Sequence, residues 1–453
     1  MEKRSELRWV GLVLALVILI CACSATGIAG VIWLARRAAG PLASSQPAPV
    51  EPSSGGRIAY VGGDGNIYTI APDGSDRQVV TSDQPAGNEA YNTLTWSLDG
   101  QLAFASVDDQ GSALFTAQAD GSRRTRVYSG GPNVAPFYLY WSPDGQRIAF
   151  LSPSQGGSLS LWMAKGRQAD SARSIAQGSP SYFSWSPDSR SLLSHIGGAQ
   201  NSSGDAHLSV LQSDPSGSTE LPDVPGDFQA PAWSPDGRRF LVVRQGVNRF
   251  DELVLATGDD RQVLADTRAS TRTGMVFAWS PRGDQIAFSV VSSSADSLYD
   301  NVVVLDPDHK TSRVIAQGPI VAFFWSPDGE RLAVLRADIS RLGPQGRLSP
   351  ARWNPSPAPQ SSNLRLAWSV IHVADGAALD FPSFRPTDAF LLLIPYFDQY
   401  AQSLSLWSPD GRQLVYADVD ERQEASVRVL DTTQPNQPAR RLASGTFAAW
   451  SWH

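Results

Sequence analysis

From residue 57 to the carboxyl terminus, apolar residues gather in runs of strand length, such as 146–151 (QRIAFL), 285–290 (QIAFSV) and 413–417 (QLVYA), divided by clusters of Ser, Pro, Asp and Gly. Short apolar runs bounded by turn formers predict β-strands. The amino-terminal end has another pattern: residues 9–35 form a run of 27 without a charge. As a helix that run would extend roughly 40 Å, more than the hydrocarbon of a bilayer requires.

Between the predicted strands one turn recurs. Trp-Ser followed by a tight-turn sequence stands at Trp96 (WSLDG), Trp141 (WSPDG), Trp185 (WSPDS), Trp233 (WSPDG), Trp279 (WSPRG), Trp325 (WSPDG) and Trp407 (WSPDG), with a shortened copy at Trp450-Ser451. Proline presets φ, aspartate bonds locally and glycine supplies positive φ, so each copy predicts a hairpin between the first two strands of a unit. A second hairpin is predicted after the third strand, at sequences such as Ala71-Pro72-Asp73-Gly74 and Ala374-Asp375-Gly376, because Asp-Gly is a strong turn signal. Successive tryptophans lie 45, 44, 48, 46, 46, 82 and 43 residues apart, close to the period of a four-stranded propeller blade.

Such a meander has two apolar faces and must stack on neighbours. The first unit opens at residues 57–60 on what matches a second strand, and the last stops at 447–451 on a first strand. The two ends therefore complete one unit. The prediction is an all-β, eight-bladed β-propeller closed by pairing of the C-terminal strand with the N-terminal blade, with seven blades as the alternative; closure removes exposed sheet edges.

Over residues 57–453 these units resemble the TolB-type propeller repeat, which has the same Trp-Ser-Pro-Asp-Gly turn, an apolar strand after it and a later strand ending in Asp-Gly. Leu98 replaces the turn proline, Ser189 the glycine and Arg282 the aspartate, so those three turns are expected to be less regular. The resemblance implies the fold and little about function, since similar propellers serve as periplasmic scaffolds, as gating domains of serine peptidases and, more rarely, as enzymes. The repeated tryptophans are read as inter-blade packing residues.

The charge-free run continues through Gly30-Val31-Ile32-Trp33-Leu34, beyond the short apolar core of a cleaved signal peptide. It is read as a transmembrane helix over 9–35, after a short cytoplasmic segment, 1–8. Lys3, Arg4 and Arg8 precede the run and Arg36 and Arg37 follow it, an asymmetry that puts the propeller on the extracytoplasmic side of a cell membrane. Residues 36–56, rich in Pro and Ser, suit a flexible linker. Both cysteines, Cys21 and Cys23, lie in the apolar run. The surrounding stretch is loosely similar to a lipoprotein processing site at Cys23, and ordinary apolar helix residues are the preferred reading.

Composition changes the picture mainly by exclusion. The formal charge is −7 and Lys3, Lys165 and Lys310 are the lysines, so no basic stripe suited to nucleic acid is expected. A peptidase that pairs a propeller with an α/β-hydrolase domain would carry a Gly-x-Ser-x-Gly elbow, and the sequence has none. Phosphate-binding and dinucleotide-binding glycine patterns are also absent, and His195, His207, His309, His372 and His453 are scattered. No catalytic, cofactor-binding or metal-ligating residue is assigned.

The irregular interval, Trp325 to Trp407, holds two unusual pieces. Residues 338–363 are rich in Pro, Ser, Arg and Gly and form an insertion after a second strand, and long loops on rigid scaffolds often carry function. Residues 390–400 (FLLLIPYFDQY) are expected to enter the innermost strand of the last full blade. Tyr396, Phe397 and Tyr400 are a candidate partner surface at the channel mouth, set against burial in the blade core. The leading functional expectation is a membrane-anchored scaffold for a protein or an envelope glycan. The alternatives are an envelope hydrolase or lyase acting at the channel mouth, and a sensor subunit of a membrane complex.

Overall fold

The computed structural model describes residues 56–453, except 84–90, 109, 133–134, 155–157, 180, 198–205, 214–216, 227–228, 247–249, 269–273, 293–297 and 339–363. The apolar run 9–35, nearly all of the linker and most of the 338–363 insertion thus lie outside the described residues. Among the described residues no helix is long and apolar enough to cross a membrane.

The described strands form antiparallel sheets: four of four strands, one of six and one of seven. A representative unit runs Tyr91–Trp96, Gln101–Val107, Ser112–Gln118 and Thr125–Gly130, with Trp96 opposite Leu102 and Val107 opposite Ser112. Burial falls from the axis to the rim. The inner strand Ser181–Trp185 is buried at every residue, whereas the outer strand Ser218–Glu220 of the same sheet is exposed throughout. An inner strand covered on both faces has no solvent side, so its sequence need not alternate, and Ser181 and Ser184 are buried along with its rings.

The recurring serine organises the turn. Ser142 Oγ donates to Asp144 Oδ1 (2.5 Å) and accepts the Arg147 N–H (3.0 Å), tying the start of the turn to the next strand. All three sequence departures still close. Gly100, Ser189 and Gly283 donate their N–H groups to Ser97, Ser186 and Ser280 carbonyls, with Ser189 held at φ 63°. Where Arg282 replaces aspartate, Ser280 Oγ turns to Asp284 instead (2.6 Å), so the serine keeps a carboxylate partner two residues later.

Two strands each serve two units. Thr311–Trp325 pairs through its first part with Tyr299–Asp306 and through its last part with Arg331–Ala337. Arg440–Trp450 likewise pairs with Ala425–Asp431 and then with Ile58–Gly62, Trp450 standing opposite Ile58. The two ends of the domain are thereby joined in one ladder. At that hand-over a Cβ on Gly445 would lie 2.6 Å from the Val61 carbonyl, so only glycine fits.

The tryptophans link neighbouring units. The indole N–H of Trp96, Trp185, Trp279, Trp325 and Trp407 donates to the carbonyl of Ala449, Tyr140, Ala232, Ala278 and Phe324, at 3.0 to 3.4 Å. Each acceptor is the residue just before the tryptophan of the adjacent repeat. Trp407→Phe removes one such donor while the Phe324 carbonyl keeps its ladder partner Ala333, which should cost about 0.5–1.5 kcal/mol, read as a lower urea midpoint with unchanged slope.

Candidate functional site

Residues 381–407 depart from the repeat, and here the expectation of a strand is corrected. Residues 390–400 are helical: α1 is Asp388–Leu393, a 3-10 turn spans Ile394–Tyr396 and α2 is Phe397–Ser403. Phe390, Leu393, Ile394 and Phe397 are buried while Leu392 is exposed, a spacing of three and four residues that makes one apolar helix face. Thr387 caps α1, its Oγ1 accepting the Phe390 N–H (3.2 Å) and donating to the Thr446 carbonyl (2.6 Å). At its root the segment is pinned by bridges from Phe384 to Leu366 and from Pro386 to Asp418.

From that root the helices enter the axial channel. Tyr400 packs edge-on against Tyr138 (5.5 Å between ring centres), Tyr396 approaches Tyr182 (6.3 Å) and Phe397 meets Phe323 (4.8 Å). At the deep end Thr95 Oγ1 donates to the Ser403 carbonyl, and Gln402 Nε2 donates to the Pro231 carbonyl (3.1 Å). Thr95, Tyr138, Tyr182 and Phe323 belong to four separate sheets, and Pro231 directly precedes the inner strand Ala232–Trp233 of a fifth, so α2 is a plug gripped from several sides. The chain then leaves as the short segment 405–407, joined to its neighbours by bridges at Ser405 and Trp407.

The structure thus separates the three aromatic residues singled out from the sequence. Phe397 is completely buried against Tyr299, Phe323 and Phe324, which makes it an interior residue and not a partner surface. Tyr400 faces the channel wall, and Tyr396 is partly exposed. Of the eight repeated tryptophans, Trp96, Trp141, Trp185, Trp279, Trp407 and Trp450 are buried, and Trp233 and Trp325 are partly so.

A polar centre lies within the plug. Asp398 is 4% exposed, and its carboxylate accepts the N–H groups of Gln399 (3.0 Å) and Ala230. Burial pushes this carboxyl up to about 7, and those N–H groups offset only part of the shift. Around it stand the phenols of Tyr138, Tyr182 and Tyr299, each raised above the usual tyrosine value chiefly by burial, with the Asp398 charge adding to it. Burial also raises Tyr400 to about 12, opposed by the Tyr138 N–H. Tyr138 sits at a register shift with φ 47°, a bulge that turns its N–H toward the plug. Gln399 is 2% exposed and its Oε1 has no hydrogen-bond partner among the described residues.

His195 and His207 lie on paired strands, and the His207 charge adds to the lowering of His195. His195 is buried with Nδ1 2.9 Å from the Gln229 carbonyl, and burial lowers it to about 4, so the ring is neutral at ordinary pH. His309 and His372 pair with Asp306 and Asp375 three residues away on the surface. Among the described residues no group of three or more His, Cys, Asp or Glu could hold a metal ion. A separate polar cleft of about 790 Å³ lies between Pro72, Asp73, Asp410, Arg412, Asp431 and Arg440; the Arg440 guanidinium in it is already bonded to the Pro72 and Asp73 carbonyls.

No family model matches the chain. An uncharacterized protein of Agrobacterium fabrum, Atu1656, is 27% identical over 191 residues, a stretch that covers 39% of this chain and 61% of that protein. Among solved structures, a prolyl endopeptidase chain superposes with a TM-score of 0.51 at 12% identity over 79% of this chain and 50% of its own. A putative TolB from Agrobacterium tumefaciens is 21% identical with a TM-score of 0.37, covering 61% of this chain and 96% of its own. The matched region thus spans under two thirds of the curated relative and half of the endopeptidase chain. At such identities likeness bears on fold alone, and the fold is a β-propeller.

Proposed function

We propose that this protein is a membrane-anchored, extracytoplasmic β-propeller of eight blades that acts as a binding scaffold for a protein or an envelope glycan. The observation that carries the reading is the plug: α2, a piece of the chain itself, fills the axial channel where inner strands converge. Binding is thereby left to the rims. Eight blades are supported by counting Thr311–Trp325 and Arg440–Trp450 in two units each and taking 405–407 as an inner strand. The anchor is supported by the charge-free run 9–35 and the linker 36–56 by its Pro and Ser content.

One rim is favoured. In an antiparallel meander, the links between second and third strands and the links between units emerge on the side opposite the Trp-Ser turns. The root of α1 and the flanking residues Asp338 and Leu364 belong to that side. On it Asp388 is exposed and Leu392 is 60% exposed, one turn apart on α1. We assign the partner contact to this rim.

The test uses the full-length chain as bait on detergent-solubilised envelopes, beside Leu392→Arg and a variant lacking 339–363. Capture of a defined envelope protein or glycan, weakened at least ~10-fold by either change, is the expected result, since a central contact contributes more than ~1 kcal/mol. Leu392→Arg should leave the melting temperature nearly unchanged because surface substitutions cost under about 0.5 kcal/mol. Absence of capture, together with turnover of glycans or peptides by the purified chain, would overturn the scaffold reading in favour of the envelope enzyme.

A further inference from the structure

The insert that fills the channel is not woven into the sheets. α1 and α2 contribute no strand to any ladder, and after them the segment 405–407 makes only isolated bridges, at Ser405 and Trp407. The insert is pinned at its root by Thr387, Phe384 and Pro386 and gripped at its tip by Thr95 and Pro231. Between root and tip, α2 makes chiefly aromatic contacts, and the polar groups buried on it there are Asp398 and Gln399. Withdrawal of the helix would break side-chain contacts and leave the strand pairings in place.

Asp398 is set in that contact without a counter-charge. Its partners are N–H groups, and among the described residues no cationic side chain contributes to its electrostatics. The titratable groups facing it are Tyr138 and Tyr182 from inner strands, Tyr299 from Tyr299–Asp306, and Tyr396 and Tyr400 from its own segment, all displaced upward by burial. The strand Met275–Trp279, also packed against α2, has no titratable side chain, nor does the inner part, 320–325, of Thr311–Trp325. His195, bonded to Gln229 close to Ala230, stays neutral. Asp398 is therefore the one group of this cluster that changes charge near neutral pH.

We propose that the α1–α2 insert is a removable plug, seated in the channel when Asp398 is protonated and loosened when that carboxyl ionises. A carboxylate in the seated plug is held in a desolvated aromatic pocket, whereas in a withdrawn plug it reaches water. Withdrawal uncovers a channel walled by Tyr138, Tyr182, Tyr299, Phe323 and Phe324. The device shares with the scaffold reading the seated plug as its premise, and its test reads the channel by pH whereas that of the scaffold reads capture at the rim.

The direction follows from linkage. The seated carboxyl titrates near 7 and a solvated one near 3.8, so withdrawal releases a proton between these values. The opening constant should rise about tenfold per pH unit through that window and level off above it. Hydrogen exchange of the full-length protein in detergent, normalised to intrinsic exchange rates, reads this directly. Protection of 397–403 should fall about tenfold per unit from about pH 5 to about pH 7 and then flatten, and should stay below that of the strand Gln101–Val107 at every pH. Asp398→Asn should remove the pH dependence of 397–403. A flat wild-type profile, or an equal fall in the Asn variant, would overturn the proposal. Should the variant fail to fold, isotope-edited infrared spectroscopy of wild-type aspartate carboxyls decides: loss of a protonated carboxyl near neutrality supports the plug, and complete ionisation already near pH 5 sinks it.

Discussion

Asp398→Asn raises the melting temperature of the full-length protein at about pH 8 and lowers it or leaves it unchanged at about pH 4. The sign comes from a folded-state carboxyl displaced upward, from 3.8 to about 7. Below the lower value both folded and unfolded states hold the proton and the group costs nothing. Between the two values unfolding releases a proton, so stability falls as pH rises; above the upper value the loss is complete. A shift of about three units corresponds to about 4 kcal/mol. The Asn amide must find partners where a carboxyl had accepted N–H groups, which offsets about 1–2 kcal/mol of the gain. A net gain of about 2–3 kcal/mol at pH 8 should be visible as a shift of a few degrees. Scanning calorimetry of both proteins at several pH values gives the comparison, and parallel pH profiles would refute the assignment.

Phe397→Ala is the second large effect. The ring is fully buried and touches Tyr299, Phe323 and Phe324, with centres 6.2, 4.8 and 5.8 Å away. Deleting it removes the transfer contribution and leaves a cavity that a rigid ring of strands closes poorly, a loss of about 3–5 kcal/mol. Because the ring sits on the plug and its partners on the wall, the loss divides between two events. Exchange of 397–403 should accelerate sharply while the outer strands keep their protection; uniform acceleration would mean that the helix is an integral part of the core. Phe397→Leu should recover most of the loss, since a large apolar side chain refills the site.

These two residues also mark the boundary of what the chain pattern exposes. Strands, turns and period were legible because they depend on residues a few positions apart: Ser142 meets Asp144 and Arg147, and Trp96 faces Leu102 across the turn. The ring closure was legible too, since a first unit without its inner strand and a last unit with nothing else have one way to satisfy their edges. The segment 390–400 occupies the place in the repeat where a strand belongs, and the period therefore points to a strand there. Its own signal was helical: Thr387 and Asp388 at a start position, then apolar residues at 390, 393, 394 and 397. Asp398 is the one charge in the apolar run 390–400, a cue independent of the repeat period.

The β-propeller class, the order of strands within a unit, the serine-centred turn and the meeting of the two ends are written in the chain, because each rests on local geometry and on the need to cover sheet edges. What occupies the axis is a matter of the fold. The contacts that hold the plug join Thr95 to Ser403 and Pro231 to Gln402, 308 and 171 residues apart, and no period in the chain records them. Nor does it record the setting of Asp398, whose acidity depends on burial behind aromatic rings brought together from three separate sheets. Charge and desolvation act through space, so the residue was written in the chain and its chemistry was made by the closing of the ring.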